Sequence, residues 1–178
     1  MFIKSLAVLF LSLNLATASP VAFSKRDAAT VLADLSTLSN DLSTLDTAVE
    51  GFDGNILNAL PIASDESTVE NDIKQAISDT DASSAFSTSD SSSVTSAVTA
   101  LEPSINKTIS DLVAKKAEFT SAGVDSLVLQ DLENLQNLTD TLSTSLQAKV
   151  TSSDASTIAS GTTALDAAFA SAIAVYSS

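Results

Sequence analysis

Glu66 and Glu70 stand four residues apart, a spacing that puts two carboxylates on one helix face. A paired carboxylate is the raw material of general acid–base chemistry. The same spacing also describes a solvated helix start, where acidic side chains complement the positive end of the helix dipole, and that is the expectation here. The usual partners are missing, because the 178 residues contain no histidine and no cysteine. The commonest general base and metal ligand is therefore absent, as are the thiolate nucleophile and the thiolate ligand. A metal site would need carboxylates alone, and the Asp and Glu residues follow no calcium-loop spacing. The sequence predicts no enzyme, no catalytic residue, no metal site and no cofactor.

The elements around that pair are helical. Val31, Leu35, Leu38, Leu42, Leu45, Val49 and Phe52 alternate steps of four and three, one apolar stripe on one helix. Gly51 and Gly54 then mark a turn. Ile56, Leu57 and Leu60 form a short apolar piece that Pro61 is expected to stop, with Ser64 and Asp65 capping the next helix. That helix carries Val69, Ile73, Ala76 and Ile77. The serine-rich segment 87–93 reads as a loop. A long stripe from Val94 through Leu101, Ile105, Ile109, Leu112 and Phe119 keeps its phase across Pro103, which predicts a kink and not a reversal. Lys116 interrupts it, with its stem packed and its ammonium in solvent. Gly123 is a C-terminal stop. A fifth stripe runs from Val124 to Val150, and a sixth, from Ser153 or Asp154, carries Ile158, Leu165, Phe169, Ile173 and Tyr176. Short connections predict antiparallel neighbours. The expected fold is all-α, a single antiparallel bundle of about five to six helices over 27–178, without disulfides.

The start of the chain reads as an export signal. Lys4 precedes an apolar run over 6–16, and Ala16 and Ala18 flank a small-residue exit. The run is too short to span a membrane, which takes about 20 apolar residues. Cleavage is expected after Ala18, leaving 19–26 as a propeptide if a kexin-type protease cuts after Lys25-Arg26. The alternative is that this dibasic pair is simply exposed. If it is cut, 22 acidic residues face 8 − 3 = 5 basic ones, a net charge of −17. Such a surface repels nucleic acid and anionic membranes and suits an acidic extracellular medium. Apolar residues make up 44% of the chain, too many for a segment that cannot collapse. In an exported chain the sequons at Asn106 and Asn137 predict N-glycosylation, and the Ser/Thr-rich segment 87–99 can take O-linked sugar. The ending at Ser178 lacks a polar spacer followed by an uninterrupted apolar tail, so neither a lipid anchor nor a transmembrane segment is expected.

Several segments resemble the hydrophobic surface binding protein A family of filamentous fungi, which includes antigenic cell-wall galactomannoproteins. They are ALEPSI at 100–105, LVAKKAEF at 112–119, Gly123-Val124, LVLQDL at 127–132 and DAAFASAIA at 166–174. The resemblance covers essentially the whole chain after the leader. Its motifs are packing and turn residues, so it speaks to fold more than to activity. It implies a secreted helical domain without enzymatic activity. Some relatives adsorb to hydrophobic solids and help recruit degradative hydrolases, and some wall mannoproteins hold fatty acids between their helices.

Two functions follow from the residues. The sixth helix is built mainly of Ala, Ser, Thr and Gly, and against leucine-rich helices such side chains leave room for an apolar guest such as a fatty acid. Candidate lining residues are Phe52, Leu60, Ile73, Ile105, Ile109, Phe119, Leu135, Leu142, Phe169 and Ile173; the alternative for each, and the favoured one for any single residue, is plain core. Alternatively the bundle opens and lays its stripes on a hydrophobic solid surface, at about 25 cal/mol per Å² covered. A structural, antigenic wall mannoprotein without a small ligand is the remaining reading.

Overall fold

The structure is a computed structural model and describes residues 27–178; the processing residues Ala18, Lys25 and Arg26 lie outside the described residues. Six helices follow in chain order: α1 (Ala28–Glu50), α2 (Ile56–Ala82), α3 (Thr88–Ala114), α4 (Lys116–Ala122), α5 (Asp125–Gln147) and α6 (Ser152–Tyr176). No strand occurs among the described residues, and the fold is an all-α bundle.

Local chemistry sets the helix ends. Asp27 caps α1 by accepting the Thr30 N–H at 3.2 Å, and every stripe residue from Val31 to Val49 is buried. Asn55 caps α2 in the same way through the Leu57 N–H. Pro61 does not stop the chain, because α2 runs through it. The missing donor costs only the bond to the Leu57 carbonyl, and Leu57 lies on the solvent side, 69% exposed. The serine-rich 87–93 is mostly helix, not loop: Ser87 accepts the Asp90 N–H and α3 starts at once. Pro103 sits within α3 without ending it. The long fourth stripe breaks at Lys115, and α4 closes on Gly123 in the left-handed region at φ +73°. Lys116 differs from its expectation. Its ammonium donates to the Val175 and Ser178 carbonyls and lies 5.8 Å from the Tyr176 ring centre, tying the end of α6 to α4.

Packing closes the helices into a ring. α1 packs on α2 and α3, α2 on α5, α5 on α6, and α6 on α3. The order around the ring is thus α1–α2–α5–α6–α3, with α4 against the ends of α3 and α5. Neighbours joined directly in sequence, α1 with α2 and α5 with α6, run antiparallel. The other three seams are parallel. Lys107 reaches Asp46, and Lys115 reaches the Phe52 carbonyl. Ser91 pairs with Asp154, and the Tyr176 hydroxyl donates to the Leu112 carbonyl at 2.5 Å. Glu66 faces Asp131, and Glu70 faces Asn134. Consecutive α2 and α3 do not form a seam, since α3 crosses to the far side of α1. By length and composition α6 could cross a membrane; here it is one wall of the ring, with Ile158, Leu165 and Phe169 buried.

Candidate functional site

The five long helices surround an apolar cavity. Its volume is about 80 Å³. That exceeds several-fold the ~10–15 Å³ one water requires. The lining is leucine, isoleucine, valine and phenylalanine except for Glu102, Thr108, Thr139, Ser143, Gly161 and Thr162. Water would find few partners there, so the space favours an apolar guest. The cavity is elongated along the ring axis: from Leu35 to Leu45 on α1 alone the rise is about 15 Å. Half of a bilayer's hydrocarbon core, one acyl tail, is also about 15 Å.

Of the candidate lining residues, Ile73, Ile105, Ile109, Leu135, Leu142 and Phe169 face this cavity. The other four do not. Phe52 and Phe119 are buried against each other at the end of the bundle. Leu60 is 67% exposed on the outer side of α2, because α2 continues through Pro61 and keeps that turn outside. Ile173 is partly buried against the core below the cavity. Sequence reasoning missed twelve aliphatic lining residues, the four α1 leucines among them, and all six small or polar members. A signal existed for three of them. Glu102 fits the step between Val98 and Ile105 as well as Leu101 does. Thr139 fits between Leu135 and Leu142 as well as Leu138 does. Gly161 is a helix-interior glycine, which costs about 1 kcal/mol against alanine and so calls for a packing reason.

Glu102 occupies the space beside Gly161. A Cβ added at Gly161 would meet Glu102 Oε1 at 2.1 Å and Cδ at 2.8 Å. The carboxyl of α3 therefore lies directly over the α6 backbone. Beside it, Ser143 and Thr162 are 2.6 Å apart, Thr162 donates to the Ile158 carbonyl at 2.9 Å, and Gln147 donates to Ser143 at 2.8 Å.

Carboxyl groups also meet at three helix seams. Between α2 and α5, Glu66 is 9% exposed; burial, then Asp131 and Glu70, raise it to about 8. Asp131 is itself raised to about 6, chiefly by burial. Between α1 and α2, burial and then Asp41 raise Asp72 to about 6. Between α5 and α6, burial and then Asp166 raise Asp140. Glu66 and Glu70 are thus mid-helix groups packed at a seam, not a solvated helix start. Asp46, Glu50 and Asp111 converge as a metal site would require, but the Lys107 ammonium sits among them at 2.6, 2.5 and 2.8 Å. It fills the place a cation would take. Of the two sequons, Asn137 is exposed on α5, whereas the Asn106 amide donates to the Glu102 carbonyl at 3.0 Å.

Fold and cavity together define a class: a ring of amphipathic helices built around an apolar interior. The chain belongs to the hydrophobic surface binding protein A family, whose sequence profile matches residues 28–148. Among solved structures it is similar to Afmp4p in complex with palmitic acid, at 51% identity and a TM-score of 0.83, covering 84% of this chain and 99% of that one. It shares its fold with ligand binding domain 1 of Penicillium marneffei MP1, complexed with arachidonic acids, at 17% identity and a TM-score of 0.78, covering 84% and 98%. Domain 2 of the same protein, complexed with multiple arachidonic acids, is 19% identical with a TM-score of 0.74, covering 86% and 97%. Among curated proteins no match is found.

Proposed function

We propose that this chain is an exported, non-enzymatic fungal protein of the medium or wall that holds a long-chain lipid inside its helical ring. The observation that carries this is the cavity, elongated and lined almost wholly by aliphatic side chains. Its long aliphatic lining suits a methylene chain. The palmitic acid held by Afmp4p, a relative half identical to this chain, supports the same ligand class. The leader, the sequons and the acidic surface support export and glycosylation. Titration of the delipidated protein with a fluorescent fatty acid tests the proposal. Saturable binding near one per chain is expected, and its absence would remove the reading.

A second reading, adsorption to hydrophobic solids, has its own observation. Ile56, Leu57 and Leu60 are exposed on the first turns of α2, and Leu127 is exposed at the start of α5. Because α2 and α5 run parallel, these four side chains share one end of the bundle. Adsorption through them needs no opening of the ring. Retention on polyester beads in high salt is expected from apolar contact, and loss of retention in Leu57→Glu/Leu60→Glu would localise it.

A further inference from the structure

Glu102 is the sole ionisable residue in the cavity lining, and no lysine or arginine from any of the five helices accompanies it. Its carboxyl lies against Gly161, in the space a Cβ there would enter. Three of the four lining hydroxyls have already donated their protons. Thr162 donates to the Ile158 carbonyl, so the short Ser143–Thr162 contact is made by the Ser143 proton, and Thr108 donates to the Ser104 carbonyl at 3.1 Å. A lipid headgroup reaching this part of the wall meets an acceptor carrying negative charge. A carboxylate anion placed there would face a like charge with no counter-ion, which is costly in an apolar surround. A hydroxyl would instead donate to Glu102 in a charge-assisted hydrogen bond.

We propose that Glu102 selects the headgroup of the bound lipid, favouring a neutral hydrogen-bond donor over a carboxylate anion. Long-chain alcohols meet this rule directly. A fatty acid meets it when it carries its proton, and no other lining residue from α1, α2, α5 or α6 is ionisable to alter that requirement. The proposal rests on the reading of the cavity as a lipid site.

The test is native mass spectrometry of the delipidated full chain, incubated at pH 7 with an equimolar mixture of hexadecanol, palmitate and methyl palmitate. Wild type is compared with Glu102→Gln, so that differences in lipid solubility cancel in the ratio. Expected is a shift of about tenfold in the hexadecanol-to-palmitate occupancy ratio toward palmitate in Glu102→Gln, with methyl palmitate, which cannot donate, changed least. A thermal melt of the variant checks that its fold is kept. Gly161→Ala, which displaces the carboxyl, should shift the ratio in the same direction. An unchanged ratio, or equal loss of all three lipids in a folded variant, overturns the selection while leaving the lipid site standing. Failure of wild type to bind any of the three overturns the lipid site and the selection together.

Discussion

Phe52 and Phe119 stack with ring centroids 4.5 Å apart and planes 19° from parallel. One follows the end of α1 and the other sits in α4, so the contact ties the α1–α2 turn to α4 at one end of the ring. Gly54 at φ +85° lets the intervening chain pass close to Glu118, and Lys115 donates to the Phe52 carbonyl at 2.8 Å. These rings seal the bundle and leave the cavity to others. Phe119→Ala should cost about 3–5 kcal/mol and lower Tm by about 10 °C. Lipid stoichiometry measured well below the new Tm should be unchanged. A loss of binding in the folded variant would place the pair in the ligand site.

Stability should be higher in mild acid than in mild alkali. Glu66 is raised from 4.5 to about 8, and Asp72 and Asp131 from 3.8 to about 6. Between each pair of values the folded chain holds a proton that the unfolded chain has released. Their stabilising contribution is therefore complete below the unfolded values and is lost as pH rises through 6 and 8. Glu70 and Asp111, lowered chiefly by Lys74 and Lys107 respectively, act oppositely and lose their contribution in stronger acid. Thermal melts should give a Tm higher by about 5 °C or more at pH 5 than at pH 8.5. Glu66→Gln should flatten most of that slope. A Tm that rises with pH over this window would refute the assignment.

Filling the cavity should separate binding from folding. Leu135→Phe adds volume where empty space already exists, so the overpacking penalty of about 1–3 kcal/mol seen in full cores should be mostly absent. Lipid affinity should fall at least tenfold with Tm within a few degrees of wild type. Leu132→Ala, at a fully buried lining position, should instead cost about 2–5 kcal/mol. Paired melts and fatty-acid titrations distinguish the two.

The α3–α6 seam is pinned at its start by Ser91. Its hydroxyl donates to Asp154 and accepts the Thr151 N–H at 2.8 Å, with no exposure to solvent. Ser91→Ala leaves that N–H without its partner and should cost about 1–3 kcal/mol. Ser92→Ala, one residue on and exposed, should change stability by less than about 0.5 kcal/mol. Denaturant unfolding of both variants gives the comparison.

Much of the fold is legible one helix at a time. The α1 stripe from Val31 to Val49 is buried at every position named, because a 3.6-residue repeat leaves little choice of face. Proline and serine mislead for a stated reason. Pro61 forfeits one backbone bond on the solvent side of α2, and tertiary packing outweighs that loss. The serines at 87–93 read as loop by composition, although Ser87 is a cap and Ser91 a buried link. Glu66 was unreadable for a similar reason: a carboxyl at four-residue spacing looks solvated until the packed neighbour carrying Asp131 is known.

By itself the sequence determined most of the helical segments, their apolar faces, the stop at Gly123 and the lack of any histidine or cysteine with which to build a reactive centre. Tertiary structure alone decided the ring order α1–α2–α5–α6–α3. It also decided which stripe members face the cavity, which close its end like Phe52 and Phe119, and which stay outside like Leu60. Periodicity fixes a face about 100° wide, but a helix in a ring touches two neighbours and the interior through that same face. Which slice points inward depends on who the neighbours are, and that order is set by long-range packing. The seat of Glu102 over Gly161 is of this kind, since the two residues lie 59 positions apart and meet only because α3 and α6 run side by side.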